Sequence, residues 1–403
     1  MIWIYNIGIA LFTVITELAS HFNQKAKLFT EGRKKVFEKI SAQVDPADRP
    51  IWFHFASLGE FEQGRPVLEK IKSINPAQKI IITFFSPSGY EIRKNYIEAD
   101  AIFYLPMDTA AKAQKFLTLV NPSMAIFTKY EFWFHYFTAL RQKQIPLYLI
   151  SGIFRPGQAF FKWYGGFNRI ILKCVSHFFV QNQESASLLK SIGINEVSVS
   201  GDTRFDRVYE HAAKPKKLAE IEEFCGEFPV FIAGSTWPAD EKILSAFPER
   251  YPDWKLIIAP HEVNEQHIQD IEKIFPEAVK FSRIRDRGTK HKDQILLIDN
   301  IGMLSSLYQY GKVAYIGGGF GAGIHNTLEA AAFGIPVIFG PKYAKFQEAK
   351  DLIAENAAIS ITNESKLLSA FEHFKTNEKA SANAKNYVTS KKGATEMIIA
   401  KIS

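Results

Sequence analysis

The sequence predicts an α/β chain made of two Rossmann-like halves behind an apolar N-terminal helix. Three observations predict it. Short apolar runs alternate with helical stretches from residue 51, a second such series begins at residue 229, and Met1 to Thr16 carries no charged side chain. At 403 residues the chain is long for one core and comfortable for two.

The first element is the run MIWIYNIGIALFTVIT, interrupted at Glu17 and continued by Leu18 and Ala19. It falls short of the ~20 apolar residues that comfortably span a bilayer. Lys25, Lys27, Arg33, Lys34, Lys35 and Lys39 follow it, and no Lys or Arg precedes it. A cleaved signal peptide normally begins with positive charge, so that reading is disfavoured. The charge asymmetry puts the following chain in the cytoplasm. A short span, a helix lying in the interface and a buried helix of the first domain all remain open.

The next elements are the apolar runs 51–56, 79–85, 101–105, 123–128, 146–150 and 177–180, with helices expected at 60–74, 108–119 and 131–143. Alternation of this kind argues for parallel βαβ units, and unbroken apolar runs suit strands covered on both faces. A polar stretch from His211 to about Glu223 reads as the join. The second series places strands at 229–235, 254–260, 294–299, 312–318 and 335–340, and a closing helical stretch at about 378–402. Substrates of such sheets bind at the carboxyl ends of the strands, here in the expected cleft between the halves.

Composition narrows the function. Hydrophobic residues are 47% and charged residues 23%, as in ordinary folded proteins. The 34 phenylalanines read as aromatic-rich cores, and the net charge of +7 suits anionic partners. No Lys/Arg-rich tract with interleaved aromatics stands out, which argues against nucleic acid. Cys174 and Cys225 lie far apart without CxxC spacing, so neither a disulfide framework nor a cysteine zinc site is supported.

Five segments carry candidate chemistry. In Tyr315 to Pro341 a strand runs into five glycines, then His325-Asn326-Thr327-Leu328-Glu329, with a helix expected from His325 or Asn326. Glycines let a backbone approach phosphate, a helix start offers N–H groups, and Glu329 suits ribose hydroxyls. The spacing is not GxGxxG, and tight packing is the alternative. In Ala233 to Glu241, Ser235 and Thr236 end a strand before Pro238. They would cap the helix, hold a phosphate or sugar carboxylate, or do both. In Ala56 to Pro66, Glu60 sits at a helix start that favours its carboxylate form, either as a proton acceptor or as an ordinary first-turn acid. Thr128 to Trp133 and Ser200 to Asp206 put further charges at strand ends, as functional groups or as surface ion pairs and caps.

Together the N-terminal helix, the Ser-x-Gly-Glu segment at Ser57 to Glu60, the Glu-x-Trp segment at Glu131 to Trp133, Gly201 to Asp206, the Gly-Ser-Thr turn and the Asn-x-x-Glu loop resemble the 3-deoxy-D-manno-octulosonic-acid (Kdo) transferases. The resemblance covers nearly the whole chain. It implies a GT-B glycosyltransferase with two Rossmann-like domains facing a cleft. An anchor would occupy 1–22, an acceptor domain 23–212, a CMP-sugar domain 224–378, and a helix crossing back to the first domain 379–403. It implies transfer of Kdo from CMP-Kdo to a lipid A precursor at the cytoplasmic face of the inner membrane. Glu60 falls on the family's catalytic glutamate and Glu131 on its second acidic position. Arg204 stands where the family usually has Lys, a change of shape at constant charge. Donor contacts would fall on Ser235, Thr236, Pro260, His261, Ile301, Gly302, Met303, Asn326, Thr327, Leu328 and Glu329. The family's Pro-Arg-His is Pro260-His261 here, without the Arg.

The implied reaction is an inverting displacement, with Glu60 taking the proton of a glucosamine hydroxyl. No Asp-x-Asp at a strand end demands a metal, and no cofactor is expected. The rivals are a GT-B enzyme using a UDP-sugar on a lipid acceptor, a UDP-sugar epimerase, and a non-catalytic membrane-surface binding protein.

Overall fold

The computed structural model describes residues 1–287 and 293–402. Residues 288–292, inside the expected second half, and 403, in the expected closing helix, lie outside the described residues. The chain forms two compact units, Met1–Asp206 together with the segment from Gly393 onward, and Arg207–Lys392.

Helix α1 (Ile2–Ala19) opens the first unit. It buries no residue completely, so the reading as a buried core helix does not hold. Tyr5, Ile9, Thr13 and Thr16 are half-buried, and their three- and four-residue spacing makes one helical face. The Tyr5 hydroxyl donates to Asp108 at 2.5 Å, while Thr13 and Thr16 return their hydroxyls to the carbonyls of Ile9 and Phe12. Ile4, Ile7, Leu11, Val14, Ile15 and Leu18 are exposed on the remaining surface. The helix is long and apolar enough to cross a membrane, with a mean hydropathy of 1.6 over 18 residues.

Seven parallel strands follow: β1 Ile51–Phe55, β2 Ile80–Phe84, β3 Ala101–Tyr104, β4 Met124–Thr128, β5 Leu147–Gly152, β6 His177–Val180 and β7 Val197–Val199, in the order β3-β2-β1-β4-β5-β6-β7. The runs IWFHF and IIITF are buried at every position, as a doubly covered parallel sheet requires. Helix α2 (Leu58–Ile74) begins two residues before the expected 60, and α3 (Phe134–Gln142) three after the expected 131. The α3 start is set by Asp108, whose carboxylate accepts the His135 and Tyr136 N–H groups at 3.0 Å.

The second unit repeats the plan with β8 Val230–Thr236, β9 Lys255–Pro260, β10 Val279–Lys280, β11 Ile295–Leu297, β12 Val313–Ile316, β13 Val337–Phe339 and β14 Ala358–Ser360. Their order is β10-β11-β9-β8-β12-β13-β14. Helix α4 (Pro238–Leu244) follows β8 and α5 (Leu328–Ala332) follows β12. The expected closing helix is two helices, α6 (Glu378–Ser390) and α7 (Ala394–Ile402), divided at Gly393, whose φ of +112° suits glycine alone. Ile398, Ile399 and Ile402 of α7 join the core formed by β1, β2 and α2 in the first unit. Asp206 fastens α7 there, accepting the Gly393 N–H at 2.5 Å, the Thr395 N–H at 2.7 Å and the Thr395 hydroxyl at 2.8 Å.

In each sheet the chain reverses its direction of winding between two adjacent strands, β1 and β4 in the first, β8 and β12 in the second. Crevices outside the carboxyl ends at such switch points are where open α/β sheets bind ligands.

Candidate active site

The first switch point gathers the candidate acids. Glu60 is the third residue of α2, directly beyond β1, and is partly exposed. The Ser57 hydroxyl donates to its carboxylate and does not cap the helix backbone. Glu131 follows β4, the neighbour of β1, and its side chain is 15% exposed. Its Oε2 accepts from Trp133 Nε1 at 2.9 Å and lies 3.1 Å from His54 Nε2. Beside Glu131, Tyr130 is an exposed residue whose hydroxyl is partly desolvated: that desolvation raises its pKa, the Arg155 charge opposes the rise and the Glu60 charge adds to it.

Arg204 is fixed by its neighbour. Asp202 accepts Arg204 Nε at 2.9 Å and a second guanidinium nitrogen at 2.8 Å, a paired contact that holds the planar group in one orientation. Burial works to raise the Asp202 carboxyl, but the Arg204 charge and hydrogen bonds, with Lys129, hold it below the usual carboxylate range. Gln63 of α2 donates to Asp202 at 3.3 Å, and Thr203 donates to the Gln63 carbonyl. The Glu60 helix and the Arg204 segment are thereby one hydrogen-bonded assembly. The Gly-Asp-x-Arg-Phe-Asp segment splits its work: Asp202 holds Arg204, and Asp206 holds α7.

The second switch point carries the other candidates. In sheet order, the carboxyl ends of β11, β9, β8 and β12 present Ile301 to Met303, Pro260 and His261, Ser235 and Thr236, and the glycine-rich loop side by side. Ser235 and Thr236 do not cap α4. Trp237 is its N-cap, with Asp240 accepting the Trp237 N–H at 3.0 Å, and the Thr236 hydroxyl donates to Glu241 at 2.9 Å. Asp240 also accepts the Tyr315 hydroxyl at 2.6 Å and the Gly318 N–H at 2.8 Å, which pins the glycine loop to the start of α4.

Packing accounts for part of that loop. A Cβ on Gly317 would lie 2.2 Å from the Ser235 carbonyl, and one on Gly319 would lie 2.6 Å from Gly340 Cα. Backbone approaches backbone at both points, so tight packing holds there, while a Cβ on Gly321 would make only ordinary contact, 3.6 Å from the Gly318 carbonyl oxygen. The following helix starts at Leu328, not at His325 or Asn326, because the Asn326 side chain folds forward to accept the Leu328 N–H at 3.0 Å. The same side chain donates to Glu329 at 3.0 Å. Burial raises the Glu329 carboxyl, opposed by the Arg207 charge and by Asn326. Thr327 and Leu328 are buried, and Ile301 is 87% exposed.

Two residues not singled out in the sequence stand here. The Trp237 ring stacks on His261 with centroids 5.0 Å apart, and His261 stacks on His325 at 4.1 Å. Trp237 Nε1 donates to His325 Nε2 at 2.9 Å, so that nitrogen carries no proton. Burial, reinforced by His261, lowers the His325 pKa to about 4. His325 lies inside the His-Asn-x-x-Glu run, which was the available signal.

Comparison with known proteins agrees with this plan. Residues 21–207 match the family described as 3-deoxy-D-manno-octulosonic-acid transferase (kdotransferase). The chain is 30% identical over 331 residues to the 3-deoxy-D-manno-octulosonic acid transferase of Aquifex aeolicus, covering 79% of this chain and 84% of that protein. It is 25% identical to the transferase of the same name from Rickettsia typhi, over 83% of this chain and 73% of that protein. Among solved structures, the UDP-GlcNAc 2-epimerase of Neisseria meningitidis shares the fold, with a TM-score of 0.61 at 16% identity over 88% of this chain and 99% of that one. The two Rossmann-like units therefore belong to a GT-B protein. The chain is a member of the 3-deoxy-D-manno-octulosonic-acid transferase family, a glycosyltransferase of lipopolysaccharide biosynthesis.

Proposed function

We propose that this enzyme moves Kdo from CMP-Kdo to a lipid A precursor with inversion, and that Glu60 is the general base. The observation that carries the reading is the place of Glu60: at the first switch point, partly exposed, one strand from Glu131. Glu60 takes the proton of the acceptor hydroxyl as that oxygen bonds to the anomeric carbon of Kdo. The bond from that carbon to the CMP phosphate breaks, and CMP leaves with the electron pair. Glu131 contacts the reacting sugars, and Arg204 offsets negative charge. In the second unit Ser235, Thr236, Pro260, His261, Ile301 to Met303 and Asn326 to Glu329 hold the donor. No metal is expected to take part, so chelator should leave turnover unchanged.

Helix α1 anchors the enzyme at the cytoplasmic face of the inner membrane, supported by its exposed apolar surface and the basic residues behind it. The deciding experiment is incubation with CMP-Kdo and a tetraacyl lipid A precursor, reading product mass. CMP should raise the melting temperature and UDP should not. A product formed from a UDP-sugar, with none from CMP-Kdo, would overturn the reading.

A further inference from the structure

His54 lies in the middle of β1 and is completely buried, yet its ring is polar at both ends. Nδ1 is 2.8 Å from Thr83 Oγ1 on β2, and Nε2 is 3.1 Å from Glu131 Oε2 beyond β4. A third group sets the direction of this chain of contacts. Trp52 Nε1, two residues before His54 and on the same face of β1, donates to Thr83 Oγ1 at 2.7 Å. An indole N–H donates only, so Thr83 spends a lone pair on it and keeps one proton to give. That proton has two acceptors in reach, His54 Nδ1 at 2.8 Å and the Phe53 carbonyl at 3.4 Å. The shorter contact makes Nδ1 the acceptor. The neutral ring then carries its proton on Nε2 and donates it to Glu131. The opposite tautomer of the neutral ring would face a bare nitrogen against a carboxylate at this part-buried contact.

Both donors to Glu131, His54 Nε2 and Trp133 Nε1, meet the same oxygen, Oε2. Among the described residues Oε1 receives no hydrogen bond.

We propose that His54 is a positioning residue for the transfer reaction: as the Nε2–H tautomer imposed by Trp52 and Thr83, it pins Glu131 by Oε2 so that Oε1 faces the substrate. The inference rests on the reading of Glu131 as a substrate-contacting group. A carboxylate on a loop after a strand has several rotamers, and two donors on one oxygen select one of them.

The test compares His54→Phe, His54→Gln, His54→Asn, Glu131→Gln and the double variant His54→Phe/Glu131→Gln, with kcat, the KM for CMP-Kdo and the melting temperature as readouts. His54→Phe fills the space and should lower kcat about 10- to 100-fold, the scale of one lost hydrogen bond to a charged group, with KM within about threefold. The Gln amide reaches the Nε2 position and should recover most of kcat. The Asn amide reaches only the Nδ1 position and should not, and this pair carries the test if the Phe variant fails to fold. In the Glu131→Gln background His54→Phe should add nothing. Wild-type turnover in Glu131→Gln would remove the reading of Glu131 itself. Impaired Glu131→Gln with unimpaired His54→Phe, equal turnover in the Gln and Asn variants, or multiplicative effects in the double variant would each overturn the role of His54 alone.

Discussion

At the first switch point Glu60 and Glu131 keep carboxylate oxygen at the surface, held by a serine hydroxyl, an indole and a histidine. At the second, Asp240 and Glu241 are buried and committed to Tyr315, Gly318, Trp237, Thr236 and His267. The strands of both units are parallel and each sheet has one reversal of winding, so the contrast does not arise from the backbone plan. It arises from where the acids stand. The first unit leaves its acids on the helix start and loop outside the sheet. The second turns Asp240 and Glu241 inward from the first turn of α4 to brace the glycine loop and the turn after β8. One arrangement suits proton transfer, and the other suits a rigid floor for a bound group.

Substitutions sharpen or break this contrast. Glu60→Ala should lower kcat by about 100- to 10,000-fold, the usual range for a lost general base, and leave the melting temperature unchanged. Retained turnover would remove Glu60 from the chemistry. Asp240→Ala should do the reverse in kind. It leaves the Tyr315 hydroxyl and two backbone N–H groups unpaired and should cost about 3 kcal/mol in a urea melt. Unchanged stability together with lost turnover would make Asp240 a second reacting acid and erase the distinction between the units. His261→Ala removes the middle ring of the stack and should raise the KM for CMP-Kdo about tenfold, with kcat little changed, on the scale of one aromatic stacking contact. A kcat effect without a KM effect would move His261 out of donor binding.

The smallest effect concerns pH. His325 in the folded unit resists protonation until about pH 4, whereas an unfolded histidine takes its proton near 6.5. Between those values the unfolded chain binds the extra proton. The stability of the second unit is therefore complete above pH 6.5 and declines as pH falls toward 4. His325→Phe keeps a stacked ring without the titration and should flatten that part of the melting profile. An unaltered profile would place the titration elsewhere.

The sheets were legible because parallel strands covered on both faces write unbroken apolar runs, as in Ile51–Phe55 and Ile80–Phe84. Edge strands β7, β10 and β14 were not, being two or three residues long and in part exposed. At the candidate sites the types of residue were legible and their partners were not. Ser235 and Thr236 read as caps because hydroxyls before a proline usually are, but Asp240 reached back to the Trp237 N–H instead. Asn326 read as helical, but its side chain closed a turn and delayed the helix to Leu328. His54 gave no signal, since a lone histidine in an apolar strand reads as core, and its partner is 77 residues away.

The return of α7 to the first unit also sets a timetable. Arg207–Lys392 is one continuous stretch of chain, so it holds everything its own fold needs once synthesised. The first unit does not: its core waits for Ile398, Ile399 and Ile402, and Asp206 waits for Gly393, 187 residues downstream. At the usual pace of translation that interval is roughly 10–40 s. For that time β1 and α2, the helix that carries Glu60, lack a wall of apolar side chains, and the second unit's chain is complete as the interval ends. The half bearing the candidate acids is thus the last to close, although its strands are the first to be made.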